Sequence, residues 1–127
     1  MTQRILLCDD EIHILRAAEF KLKKAGYDVR IASDGQEAWE MIQQQKPDVL
    51  ITDCQMPRMD GVELVHKVRE NPETAGLPIF MLTAKGYELS HDELADKWKV
   101  MAVIAKPFSP RDLLQRVNAV LQVQPTT

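Results

Sequence analysis

The sequence predicts an α/β domain built on a parallel five-stranded sheet. Two observations carry this. Short apolar runs alternate with helix-like stretches from end to end. Most of those runs are apolar at successive positions, as in strands covered on both faces. Connections between such strands are right-handed crossovers. The chain has 127 residues, enough for one domain with a single core. No internal repeat or linker divides it. Residues 1–127 are therefore read as one domain, with its core at about 4–122 and a frayed tail at 123–127.

Ile5-Leu6-Leu7-Cys8 is the first strand. A helix follows from about Ile12 to Ala25, with Gly26 as its stop. Asp28-Val29-Arg30-Ile31 alternates polar with apolar, which suits an edge strand half open to water. Ser33-Asp34-Gly35 opens the second helix, with Asp34 and Glu37 at capping-box spacing and Ala38, Trp39 and Ile42 facing inward. Pro47 ends that helix, and Val49-Leu50-Ile51 is the third strand. Gly61 to about Asn71 is a helix with Val62, Val65 and Val68 on one side, ended by Pro72. Ile79-Phe80-Met81-Leu82 is a fourth, buried strand. A polar helix is expected within Ser90 to Lys99, then a fifth strand from Met101 to Ala105. Ser109 and Pro110 start the last helix, which carries Leu113, Leu114, Val117, Val120 and Leu121 as a 3.6-residue stripe.

Composition excludes several classes. The apolar share of 45% and charged share of 28% are those of an ordinary soluble domain. Acids outnumber bases 19 to 16, so the net charge of -3 gives no general attraction to nucleic acid or anionic membrane. No apolar stretch approaches the roughly 20 residues that span a bilayer. The start, MTQRILLCDDE, lacks the order of a signal peptide. A cytoplasmic location is the expectation. Cys8 and Cys54 are too few for a disulfide framework and read as buried hydrophobes. His13, His66 and His91 lie too far apart to suggest a zinc site.

In an open parallel sheet, ligands bind beyond the carboxyl ends of the strands, where strand order reverses. The first strand ends in Asp9-Asp10-Glu11, the third in Asp53, the fourth in Thr83-Ala84-Lys85 and the fifth in Lys106-Pro107-Phe108. Packed carboxylates resist ionisation unless a cation neutralises them. Magnesium takes oxygen ligands and pairs carboxylates with phosphate, and Asp9, Asp10 and Asp53 can supply them. Lys106 offers a positive charge and Thr83 a hydroxyl to a phosphoryl oxygen. A carboxylate can act as nucleophile and become an aspartyl phosphate. Asp53 is the best placed, since it is central and ends a buried strand. Taken singly, Asp9 and Asp10 read as helix-capping acids, Asp53 as a loop acid, Thr83 as a strand residue and Lys106 as a surface lysine. Their joint occurrence at four strand ends reverses those readings.

ILLCDDE, DGQEAWE, PDVLITDCQMPRMDG, MLTA and AKPF together make the chain, over residues 4 to about 122, resemble the receiver domain of two-component response regulators. The resemblance implies a CheY-like, flavodoxin-like (βα)5 fold, doubly wound, with strand order 2-1-3-4-5. It implies that Asp53 accepts a phosphoryl group from a phosphohistidine on a sensor histidine kinase or histidine phosphotransfer protein. It implies Mg2+ (or Mn2+) held directly by Asp10, Asp53 and the Gln55 carbonyl, and by Asp9 mainly through water. Lys106 and Thr83 would contact the phosphoryl group, helped by the Ala84 backbone N–H, and the bond before Pro107 would be cis. Gln55 and Lys85 would tune phosphoryl lifetime. The family often carries an aromatic three positions before the lysine, where this chain has Val103. The signal is then expected to leave through backbone and helix shifts between Lys85 and Lys99.

On the first helix, Ile14, Ala17, Ala18, Leu22 and Ala25 fall on one stripe. Ile12 and Phe20 lie off it, and Phe20 reads either as a docking anchor or as a ring packed on its own helix's lysine stems. Trp98 reads as core or contact residue. Arg111 and Arg116 read as a solvated face. No segment suited to DNA binding follows the last helix, so direct nucleic-acid contact and membrane insertion are not expected. The function implied is a phosphorylation switch of protein interactions, not an enzyme on outside substrates. Two other readings stand beside it. One is a magnesium-dependent aspartate-nucleophile phosphatase of the haloacid dehalogenase type, which places its Asp-x-Asp at the first strand, unlike Asp9-Asp10 here. The other is a receiver that binds without phosphorylation.

Overall fold

The computed structural model describes residues 2–56, 58–83 and 98–121. Within them run β1 (Arg4–Cys8), α1 (Ile12–Lys24), β2 (Asp28–Ala32), α2 (Gly35–Gln44), β3 (Val49–Asp53), α3 (Gly61–Glu70), β4 (Ile79–Thr83), β5 (Ala102–Ala105) and α4 (Pro110–Leu121). The five strands form one parallel sheet in the order β2-β1-β3-β4-β5. The sheet is doubly wound and flavodoxin-like. The fourth expected helix lies outside the described residues, except that Trp98 and Lys99 are not helical and Lys99 has φ 57°. Ala84, Lys85, Pro57 and the expected frayed tail also lie outside them.

The strands follow from their residues. β3 and β4 are buried at every position, and β1 at all but Arg4. β2 and β5, at the edges, are partly open. Because side chains alternate across a strand, each strand feeds two cores. Leu6, Leu50, Ile79 and Met81 pack with Ile42 of α2 and with Leu64, Val65 and Val68 of α3. Ile5, Leu7, Val49, Ile51 and Phe80 pack with Leu15 and Leu22 of α1 and with Leu113 and Val117 of α4. Tyr27 hydroxyl donates to Asn118, tying the start of β2 to α4. Among the described residues, no helix is long and apolar enough to cross a membrane.

Two helix faces differ from expectation. In α1 the buried residues are Leu15, Ala18 and Leu22, while Ala17 and Ala25 are exposed and Ile14 is half-buried. The burial of one leucine outweighs that of two alanines, so the helix turns Leu15 inward. In α3, Leu64 joins Val65 and Val68 inside, and Val62 is only half-buried. The caps hold α2 and α3 in place. Asp34 accepts from Glu37 N–H at 2.7 Å, and Glu37 in return accepts from Ser33 N–H at 2.8 Å. Asp60 accepts from Glu63 N–H at 2.9 Å. The Glu37 N–H bond, followed by the Arg58 guanidinium, lowers the Asp34 pKa below the ordinary carboxylate value.

Arg69 of α3 is a strut that its sequence context does not announce. Its guanidinium donates to the carbonyls of Trp98 (2.6 Å), Leu77 (2.6 Å), Ala75 (3.0 Å) and Lys99 (2.9 Å). It thereby ties the end of α3 to the lead-ins of β4 and β5. Trp98 is half-buried against the core and stacks on His66 with ring centroids 3.8 Å apart. Arg69→Met is expected to cost about 2 kcal/mol in chemical denaturation, since charged hydrogen bonds are lost and carbonyls stranded. Arg69→Lys should recover little, because an ammonium cannot reach four carbonyls with a planar fork. Unchanged midpoints in both variants would contradict the strut.

Candidate functional site

Strand order reverses between β1 and β3. The chain leaves β1 toward β2 on one side, while β3 sits on the other. The carboxyl ends of these two strands therefore flank a crevice. β1 delivers Cys8 to its mouth with Asp9, Asp10 and Glu11 immediately beyond, and β3 delivers Asp53. β4 delivers Thr83 and β5 leads to Lys106, joined by the Lys106 N–H donating to the Thr83 carbonyl at 2.7 Å. The Lys106–Pro107 peptide bond is cis.

The start of α3 is pressed onto the end of β3. Gly61 N–H donates to the Cys54 carbonyl at 2.9 Å. A Cβ on Gly61 would lie 1.9 Å from the Asp53 carbonyl oxygen. Only glycine allows this approach, so the Asp60-Gly61 pair serves as helix cap plus backbone contact. Asp53 is held from behind by this packing.

The charged groups converge on Lys106. Its Nζ lies 2.8 Å from Asp9 Oδ2, 2.7 Å from Glu11 Oε1 and 3.1 Å from Asp53 Oδ2. Asp9, Asp53, Thr83 and Lys106 are 1%, 5%, 6% and 8% exposed, so none of them is a surface residue. Asp10 and Glu11 are exposed. Glu11, which the sequence reading did not place in the site, is brought in by its contact with the lysine. Asp9 also receives the Glu11 N–H at 2.9 Å through Oδ1. Asp9 thus helps order the start of α1 while its other oxygen faces the site.

The electrostatics follow from burial and charge. Burial raises the Asp9 pKa above the ordinary carboxylate value, and neighbouring Asp53 adds to the rise, although Lys106 opposes it. Burial would lower the Lys106 pKa, but Asp9, Glu11 and Asp53 outweigh it and the net shift is upward. Carboxylate oxygens of Asp9, Asp10, Glu11 and Asp53 lie within 4.8 Å of one another. Three of these four acids contact the one ammonium. Asp9 Oδ2 is buried, with the Lys106 ammonium 2.8 Å away. An all-oxygen donor set with an excess of negative charge fits a hard divalent cation.

The other expected residues fall as follows. Gln55 is exposed directly after Cys54, on the rim. Val103 is half-buried opposite Met81 and packs against the α2–α3 core. Ile12 and Phe20 are 49% and 69% exposed, with the Lys24 ammonium 6.0 Å from the Phe20 ring centroid. Ile12 stands at the rim end of α1, and Phe20 about 12 Å further along the helix. Arg111 and Arg116 are exposed. Cys54 is a free thiol, 1% exposed and packed in the α2–α3 core, as its sequence suggests. Burial, and then the Asp53 charge, push that thiol's pKa up to about 12.

Comparison with known proteins accords with this geometry. Residues 5–118 match the family described as "Response regulator receiver domain". The chain is 37% identical to the alkaline phosphatase synthesis transcriptional regulatory protein PhoP of Bacillus subtilis (strain 168), over 96% of its own length and 50% of that protein. It therefore spans half the length of that relative. Among solved structures, a response regulator from Chloroflexus aurantiacus J-10-fl superposes with a TM-score of 0.85 at 38% identity, covering 96% of this chain and 99% of the other. The chemotaxis protein CheY4 of Vibrio cholerae gives 0.85 at 33% identity, covering 95% and 100%.

Proposed function

This chain belongs to the response regulator receiver domains of two-component systems, and on that premise we propose that it is a phosphorylation switch whose acceptor is Asp53. The observation that supports this most is the convergence of Asp9, Glu11 and Asp53 on one buried ammonium, Lys106. The donor is a phosphohistidine on a sensor histidine kinase or histidine phosphotransfer protein. An Asp53 carboxylate oxygen attacks the phosphorus, a P–O bond forms and the P–N bond breaks, and the departing imidazole takes up a proton. The product is an acyl phosphate on Asp53. The reaction is the domain's own phosphorylation, with slow hydrolytic reversal, rather than turnover of an outside substrate.

Each neighbour has a part. Asp9, Asp10, Asp53 and the Gln55 carbonyl would hold Mg2+ (or Mn2+), which supplies positive charge to the phosphoryl oxygens when bound. Lys106 is already within 3.1 Å of Asp53 and needs only to transfer its contact from carboxylate to phosphoryl oxygen. Thr83 donates its hydroxyl to the phosphoryl group, beside the Ala84 N–H. Gln55 and Lys85 govern how readily water reaches the acyl phosphate. The new charge and acceptor oxygens are the signal. Val103 has no ring to swing, so the signal leaves through backbone and helix shifts rather than an aromatic rotamer.

The test is incubation with a small phosphodonor such as phosphoramidate, with Mg2+ or with a chelator. One base-labile phosphate per chain is expected with Mg2+ and almost none with the chelator. Borohydride reduction should then convert the labelled residue at position 53 to homoserine, read by peptide mass. Label on another residue, or label indifferent to Mg2+, would refute the assignment.

The exposed side of α1, with Ile12 and Phe20, is proposed as the surface met by the phosphodonor protein. Phe20 is an exposed ring rimmed by Arg16, Glu19, Lys23 and Lys24, an arrangement suited to an apolar anchor inside a charged border. Phe20→Ala should slow phosphotransfer from the protein donor about tenfold, as loss of an interface anchor does. The rate with phosphoramidate should stay unchanged. Equal rates from the protein donor would remove Phe20 from the interface and leave it as a ring covered by the Lys24 stem.

A further inference from the structure

We propose that the ion pair between Arg58 and Asp34 clamps the loop after β3 in the course that lets the Gln55 carbonyl meet a divalent cation, which makes Arg58 a positioning residue for metal binding. This rests on the reading of Asp9, Asp10, Asp53 and the Gln55 carbonyl as the Mg2+ cradle, and adds the group that holds the backbone member of that cradle.

The loop is closed at its base. Cys54 N–H donates to the Leu82 carbonyl at 2.9 Å, and the Cys54 carbonyl accepts from Gly61 N–H at 2.9 Å. Between these ends Gln55 is exposed, so burial does not fix its peptide. Its course depends instead on where the far limb of the loop attaches, and that limb lies on the start of α2. Met59 is buried. A Cβ on Gly35, the first residue of α2, would lie 1.9 Å from the Met59 carbonyl oxygen. One residue earlier, Arg58 Nη2 lies 3.0 Å from both carboxylate oxygens of Asp34. The near limb is tied to the same place by weaker contacts. The Cys8 thiol is 3.1 Å from Met56 Sδ and 3.4 Å from the Asp34 carbonyl oxygen.

Two features single out the Arg58 contact. Arg58 has φ 67°, in the left-handed region that an L side chain occupies at a cost. Attachment to Asp34 offsets that cost. Asp34, for its part, already caps α2 by accepting Glu37 N–H at 2.7 Å. The ion pair therefore serves the loop rather than the helix. The side chains of Arg58 and Asp34 are 61% and 15% exposed, so the pair is a modest one. Its loss should loosen the loop in part and leave the domain folded. Where the binding-competent course is only fractionally populated, apparent metal affinity falls by that fraction.

Titration of the full chain with Mg2+ at about 0.15 M salt, followed by the amide NMR signals of Asp10 and Gly61, tests this. Arg58→Gln and Asp34→Asn change the charge near the site in opposite directions. A field effect would tighten binding in the first and weaken it in the second. The clamp requires weakening in both, by about two- to fivefold. Asparagine still caps α2. The double variant should weaken no further than either single one, because both remove the same contact. Arg58→Lys should stay within about twofold of wild type, since one nitrogen makes both contacts. Arg58→Gly relieves the left-handed backbone and carries the same expectation as Arg58→Gln should the glutamine variant fold poorly. Unchanged or tighter binding in Arg58→Gln overturns the proposal. Additive losses in the double variant do so too, as does a lysine variant as weak as the glutamine one. Asp10→Asn keeps the two readings apart. If wild type binds Mg2+ and Asp10→Asn does not, a missing Arg58 effect defeats only this inference. If wild type and Asp10→Asn bind alike, the cradle reading falls and this inference with it.

Discussion

Asp53→Asn is expected to bring phosphate incorporation from a small phosphodonor down to background while leaving the protein folded. The amide keeps the shape of the side chain but lacks the negative charge and free lone pairs of the nucleophile. Other acids stand close by, with Asp10 and Glu11 exposed on the same rim. They are not expected to substitute. Asp53 is the acid fixed from behind by the Gly61 contact and from in front by Lys106, and positioning supplies most of the rate in phosphoryl transfer. The variant should melt no lower than wild type in a chelator. Three of the four clustered carboxylates contact the one ammonium, and removing one relieves repulsion that the fold otherwise bears. Two measurements thus separate loss of chemistry from loss of structure. Label at more than about a tenth of the wild-type level, in a folded variant, would mean that the acceptor lies elsewhere; a tenth corresponds to about 1.4 kcal/mol in the barrier.

What was legible in the sequence was local. β1, β3 and β4 announce themselves because a strand buried on both faces must be apolar at every position. The rim residues follow at once, since they are whatever stands next after each run. The α2 cap was equally readable, because its partners lie three residues apart. The misreadings arise where the deciding contact is distant. The rotation of α1 depends on how Leu15 packs with the sheet and α4, and periodicity alone weighted Ala17 and Ala25 too highly. The pairing of Asp53 with Leu82, which brings the ends of β3 and β4 side by side, depends on a register that neither segment encodes alone. Arg69 spans the gap between α3 and the lead-ins to two strands, and nothing near it in sequence shows four carbonyls waiting. Glu11 ends an acid run, and its role appears only when Lys106, 95 residues away, reaches it.

Lys106→Met should be among the most destabilising single changes at the site, and its effect should depend on pH and Mg2+. The lysine is 8% exposed and touches three carboxylates, of which Asp9 is 1% exposed. Removing one member of a buried ion cluster strands the charge that remains, at a cost of about 3 kcal/mol at pH 7. Methionine keeps the length of the stem, so the loss is electrostatic rather than one of packing. The pH dependence follows from Asp9. Burial already holds its pKa above the ordinary value, and Lys106 is the chief influence pulling it down. Without the lysine, the folded-state pKa rises further. A folded pKa above the unfolded one means that the fold holds that proton more tightly, so stability falls as pH climbs through the folded value. The deficit of Lys106→Met should therefore be full at pH 7 and shrink as pH falls through the raised Asp9 pKa toward the ordinary carboxylate range. Mg2+ should narrow it as well, by supplying positive charge to the same oxygens. Denaturant titrations at pH 7 and pH 5, each with a chelator and with Mg2+, measure all four conditions. A variant as stable as wild type at pH 7 in chelator would show that Asp9 is neutral in the resting chain, and that the lysine serves the phosphoryl group alone.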